Sequence, residues 1–209
     1  MKKLADKVSI ARRFQKAIRI DSDLGSAEAL DGYICPQSSA DVLASMSAHL
    51  AASGHGAFTW TGPYGSGKSS LLLILSALLG SDKRLRTKAE ALVGSKVLGA
   101  FRKGFPVDKG QWVTVAAVGR RSSLASIIGE AIPEARLIVR KPKQWTDEAL
   151  LAALQKLLDS PKQHRIVLFL DELGKVLESI AQEGGDLHLL QQIAELASRS
   201  DGRLVFVGV

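Results

Sequence analysis

One cysteine, Cys35, is all that the chain holds, so an internal disulfide, a paired-thiol redox motif and a cysteine-built zinc site are excluded. A reducing, cytoplasmic setting is the expectation. Histidine is equally sparse: His49, His55, His164 and His188 lie scattered without ligand spacing, and no metal site made of protein side chains alone is assigned. Long apolar runs are missing too. The longest aliphatic stretch, Leu71 to Leu75, is far below the ~20 residues that span a bilayer, so no membrane partner is expected. The start Met1-Lys2-Lys3 is followed by Asp6, Lys7, Arg12 and Arg13 instead of an apolar segment, which argues against secretion. Aromatic residues make up only 5 % of the chain, and the apolar content is mainly Leu, Ala, Val and Ile. That palette suits helices packed on buried strands.

What is present is enough for a core. With 209 residues, 46 % of them hydrophobic, one medium domain is expected and wholesale disorder is excluded. The formal charge is +7, and residues 1–20 carry seven basic side chains (Lys2, Lys3, Lys7, Arg12, Arg13, Lys16, Arg19) against Asp6 alone. Such a segment suits either a solvated face or contact with an anion such as DNA; no aromatic residues interleave the charges, which favours the solvated face.

Short apolar runs alternate with helical patterns, the signature of βαβ units. Leu4, Val8, Ile10, Phe14 and Ile18 hint at a helical stripe, while Ile18-Arg19-Ile20 before Asp21-Ser22-Asp23 also fits a short strand and turn. Ser38 or Ser39 is placed to cap a helix running to about Ala52. A strand is predicted at Ala57 to Thr61, a helix at Lys68 to Leu79 and a second helical pattern through Leu85, Ala89, Leu92, Val93 and Val97. Trp112 to Val118 reads as a strand. Ser122 or Ser123 caps a helix to about Ala131 that Pro133 closes, and Thr146 starts another. Arg165 to Leu170 reads as a strand whose residues Ile166 to Leu170 are apolar on both faces, as a central parallel strand must be. Helices follow at about 173–182 and 187–199, divided by Gly184-Gly185, with Asp186 as a cap, and Leu204 to Val209 begins a fourth strand. The chain ends inside that strand, the pattern of an N-terminal piece of something longer.

Chemistry concentrates in two places. Gly62-Pro63-Tyr64-Gly65-Ser66-Gly67-Lys68-Ser69 matches G-x-x-x-x-G-K-[ST] between a predicted strand and a predicted helix. Glycines 62, 65 and 67 allow backbone N–H groups to turn inward around phosphate oxygens, the helix N-terminus adds partial positive charge, Lys68 can bridge β- and γ-phosphates, and Ser69 can offer its hydroxyl to Mg²⁺. The second place is Ile166-Val167-Leu168-Phe169-Leu170-Asp171-Glu172, an apolar strand that delivers two carboxylates to the same sheet edge. Asp171 suits the Mg²⁺ shell, and Glu172 suits a general base for the attacking water.

These two strings resemble the Walker A and Walker B motifs of P-loop NTPases, in the branch with an additional catalytic glutamate; the element order over about residues 38–209 is similar to AAA+ and STAND-type ATPases. The resemblance implies an α/β, three-layer sandwich with a parallel sheet in spatial order 5-1-4-3-2, here without its last strand. It implies residues 1–37 as a basic segment leading into the nucleotide pocket, with Tyr33 to Gln37 near adenine, and residues 38–209 as the ATPase core. ATP would be held by Gly62, Pro63, Tyr64, Gly65, Ser66, Gly67, Lys68, Ser69 and Ser70, Mg²⁺ by Ser69 and Asp171, with Glu172 and Lys68 catalytic. No LSGGQ-like signature precedes the Walker B strand, where Leu157 to Gln163 lies, and this disfavours ABC-type ATPases. Asp171-Glu172-Leu173-Gly174 also fits the D-x-x-G of GTPases, but the long interval between motifs and the Glu after the Asp favour ATP.

Arg120-Arg121 ends the second strand, three strands from the loop and about 14 Å away at ~4.8 Å per strand, so it is read as a surface pair or as acting on a neighbouring subunit or nucleic acid. Trp60 is read as core. The function expected is hydrolysis of Mg-ATP coupled to conformational change or assembly in a larger protein, with self-association or other subunits. The rivals are a non-hydrolysing nucleotide-dependent scaffold and a DNA-acting motor or loader. Residues 171–175 also have the general look of large bacterial ATPases that act against phage. Low ATPase activity and self-association are expected of 1–209 by itself.

Overall fold

A computed structural model describes residues 18–107, 112–135, 137, 141–160, 165–183 and 187–209. The basic residues between Lys2 and Lys16, Pro161, Gly184-Gly185 and the expected cap Asp186 lie outside the described residues. In chain order the elements are α1 (Ile20–Asp23), a 3₁₀ turn (Glu28–Leu30), α2 (Gln37–Ser53), β1 (Ala57–Thr59), α3 (Lys68–Leu79), α4 (Lys83–Val93), α5 (Ser95–Gly104) and β2 (Trp112–Val118). Then come α6 (Leu124–Glu134), α7 (Asp147–Leu158), β3 (Arg165–Asp171), α8 (Leu173–Glu183), α9 (His188–Arg199) and β4 (Leu204–Gly208).

The described strands form one sheet in the order β1-β4-β3-β2, with every pair parallel. Parallel pairing needs a crossover between strands, and the helices supply it. β3 sits inside, pairing Val113 with Ile166 on one side and Ile166 with Leu204 on the other. Its alternate residues feed two separate cores. Val167 and Phe169 join a cluster with Leu43, Leu72, Ile74 and Phe101 from α2, α3 and α5, whereas Ile166, Leu168 and Leu170 join Ile128, Leu150 and Ile193 from α6, α7 and α9. Helices therefore cover both faces, which explains a strand with no polar side chain between Arg165 and Asp171.

Several boundaries differ from the sequence reading. α2 starts at Gln37 with Pro36 as its N-cap residue and no side-chain cap, so neither Ser38 nor Ser39 caps it. Residues 18–20 form no strand; Arg19 pairs with Asp21 and its backbone N–H donates to Asp23, winding a single turn. The helical pattern after residue 83 is two helices. Gly94, at φ 79° and ψ 158°, ends α4 through its N–H to Glu90 and opens α5 in a backbone region that only glycine occupies readily. α6 is capped by Ser123 and runs through Pro133 to Glu134, while Thr146 caps α7 as read.

Candidate functional site

β1 leads the chain to the C-terminal edge of the sheet, where the Trp60 N–H still reaches Gly208 O at 2.8 Å. The loop from Gly62 then turns into α3. Gly65 (φ 78°) and Gly67 (φ 84°) take left-handed conformations, Gly67 as the N-cap residue of α3. Gly62 does not; a Cβ there would press on Ser66 Oγ at 3.2 Å. Tyr64 stands out at 96 % exposed, Pro63 and Ser66 are exposed beside it, and Ser70 is half-buried on the first turn of α3. The Lys68 ammonium donates to Gly62 O and Pro63 O, both at 3.1 Å, and so lies across the loop.

β3 ends at the same edge, and Asp171 is its last residue. Its carboxylate is buried, accepts from Ser69 Oγ at 2.9 Å and from the Glu172 N–H at 3.0 Å, and has no ion-pair partner among the described residues. A buried carboxylate without a cation is costly unless hydrogen-bonded, and hydroxyl plus carboxylate is a hard-oxygen donor pair. That chemistry fits Mg²⁺, which needs few protein ligands and keeps several waters. Among the described residues no group of three or more His, Cys, Asp or Glu could hold a metal, and Ser69 with Asp171 is the hard-oxygen pair that would offer ligands to Mg²⁺ at this edge.

Glu172 departs from regular backbone. At φ 59° it is left-handed, a conformation that costs a side-chain-bearing residue about 1–2 kcal/mol. Its neighbours hold it there: the Gly119 N–H donates to Asp171 O at 2.7 Å, the Leu173 N–H to Val209 O at 2.6 Å, and a Cβ on Gly119 would meet Glu172 O at 2.3 Å. The Glu172 carboxylate, partly exposed, lies 3.2 Å from the Lys175 ammonium one turn into α8. Sequence reasoning found Lys68, Ser69, Asp171 and Glu172 but missed Lys175 and Gly119. The three-residue spacing from Glu172 to Lys175 was the available sign of the first; nothing marked the second.

The remaining site expectations fall out as follows. Trp60 is buried with its indole N–H on Met46 Sδ at 3.1 Å, as a core residue. Arg120 pairs with Glu130 on α6, and Arg121 is exposed. Tyr33 packs half-buried against the α2, α3 and α5 cluster; its hydroxyl has no hydrogen-bond partner of normal geometry among the described residues, and burial pushes its pKa up to about 12. No helix among the described residues is long and apolar enough to cross a membrane. Compared with protein-family models, curated proteins and solved structures, the chain matches none.

Proposed function

We propose that the chain binds Mg-ATP between the loop at residues 62–67 and the end of β3 and hydrolyses it to ADP and phosphate, as an ATPase of the P-loop kind. The observation that carries this reading is the 2.9 Å bond between Ser69 Oγ and Asp171 Oδ2, two groups 102 residues apart in sequence that meet at the mouth of a glycine-rich loop. A loop that merely turned the chain would have no use for a buried carboxylate there.

The residues then divide the work. Lys68 leaves the Gly62 and Pro63 carbonyls for the β- and γ-phosphate oxygens, and loop N–H groups with the α3 N-terminus add donors to the same oxygens. Ser69 and Asp171 would hold Mg²⁺, which would supply positive charge to the phosphoryl oxygens. Glu172, released from Lys175, accepts a proton from the attacking water. The water oxygen bonds to the γ-phosphorus in line, the bond to the β–γ bridging oxygen breaks, and ADP departs with that electron pair. Coupling of this cycle to conformational change or assembly in a larger protein is part of the same proposal.

Titration calorimetry with Mg-ATP tests the reading. Lys68→Ala is expected to weaken binding at least tenfold, about 1.4 kcal/mol. Equal affinity in both proteins would show that the loop is not the site.

A further inference from the structure

We infer that the exposed cationic face of α4 and α5 is a contact surface for the phosphate backbone of double-stranded DNA. The surface lies at the opposite end of α3 from the glycine-rich loop, about 18 Å away along that 12-residue helix, and the inference does not depend on what the loop binds.

Residues 82–104 carry seven basic side chains against two acidic ones, which is five of the chain's seven net positive charges in 23 positions. Three of the seven hold the helices in place. Arg86 donates to Gly80 O, Lys88 to Ala27 O and Asp31, and Arg102 to Leu78 O and Glu90, tying both helices to the end of α3 and to the 3₁₀ turn. The other four, Lys83, Arg84, Lys96 and Lys103, are exposed and make no ion pair among the described residues. On each helix they share one side. Lys83 and Arg84 share the solvent face of α4 with Thr87, opposite Leu85, Ala89 and Val93; Lys96, Gly99 and Lys103 recur at three and four residues on the solvent face of α5. Lys96 and Lys103 stand about 10 Å apart along their helix.

The composition of this surface selects the partner. The exposed large apolar side chains of the described residues are Ile34, Tyr64, Leu177 and Leu187, and none lies on α4 or α5. A protein partner needs a desolvated apolar or aromatic centre, which this face lacks. A single strand is gripped by stacking its bases on aromatic rings, and the face presents none. A duplex backbone needs only spaced cations and hydroxyls. Proteins meet an RNA duplex through its shape and its 2′-hydroxyls as well as its phosphates, whereas non-specific binding to DNA rests on phosphate charge, which is what this face supplies.

Fluorescence anisotropy of the full chain with a mixed-sequence DNA duplex, over 50 to 200 mM salt, tests the assignment. A variant with Lys83→Gln, Arg84→Gln, Lys96→Gln and Lys103→Gln should show a salt slope shallower by about 3.6, at ~0.9 per phosphate contact for four contacts, and at least tenfold weaker binding at the low-salt end. A control with Lys141→Gln, Lys143→Gln, Lys156→Gln and Arg199→Gln removes four exposed cations elsewhere and should keep the parent slope. Because the two variants share one net charge, the comparison also cancels any contribution of residues 1–17. An equal loss in both variants, or none in either, overturns the proposal. So does tighter binding to single-stranded DNA, to an RNA duplex of equal length or to polyglutamate than to the DNA duplex. Circular dichroism checks the fold, and if the fourfold variant unfolds, the Lys83→Gln/Arg84→Gln pair alone should lower the slope by nearly 2, with an unchanged slope again overturning the assignment.

Discussion

Glu172 carries two demands on one residue. Its carboxylate is the proposed proton acceptor, and its backbone sits at φ 59°, where a Cβ is unwelcome. The demands separate by substitution. Glu172→Gln keeps shape but cannot take a proton at neutral pH, so in the larger protein Mg-ATP affinity should stay within twofold while phosphate release falls at least ~100-fold, in the range for loss of a general base. Full turnover in that variant would move the base elsewhere. Glu172→Gly and Glu172→Ala both remove the carboxylate and the exposed pair with Lys175, yet only glycine relaxes the backbone. Urea unfolding should place the glycine variant above the alanine variant by about 1 kcal/mol; equal midpoints would mean that the left-handed turn stores no strain. The side chains of this site were legible in the sequence because phosphate loops and strand-end carboxylates are short local strings. The conformation of Glu172 was not, because Gly119 and Val209 impose it from other strands.

Elements were readable where one force decides them. β3 shows itself because five consecutive apolar residues, Ile166 to Leu170, have no face to give to water, and α7 because Thr146 accepts from Ala149 N at its start. The pair α4 and α5 was hidden: an apolar spacing that continues from Leu85 to Val97 runs straight through Gly94, and only the positive φ there splits it. The start of α2 was hidden too, since two serines in the first turn look like caps while Pro36 fills the cap position. If Gly94 sets the angle between α4 and α5, Gly94→Ala should cost about 1–3 kcal/mol in urea unfolding, because φ 79° with ψ 158° lies in a region closed to alanine. A loss below about 0.5 kcal/mol would show that the backbone there relaxes freely.

On the scale of the whole molecule, the sheet divides two cores and β3 belongs to both. Amide hydrogen exchange should therefore be slowest at Val167 to Phe169, whose exposure requires both cores to open, while the amides of Gly62 and Tyr64 to Ser66 exchange early and slow down when Mg-ATP is added. Equal rates in the two segments would mean that the division has no energetic weight. The strand order also sets a schedule. Among the described strands β1 has one partner, β4, and Ala57 to Thr59 pair with Phe206 to Gly208. A ribosome therefore releases the strand that leads into the glycine-rich loop roughly 145 residues before it releases the strand on which it will rest. At about 5–20 residues per second, that interval is on the order of 7 to 30 s. For most of it, until β3 emerges to pair with β2, α3 carries Leu71 to Leu75 with no sheet beneath them. The newborn chain thus passes through a period in which its greasiest helix is made and the proposed nucleotide pocket cannot be, and chaperone occupancy on stalled nascent chains should peak before residue 204 emerges.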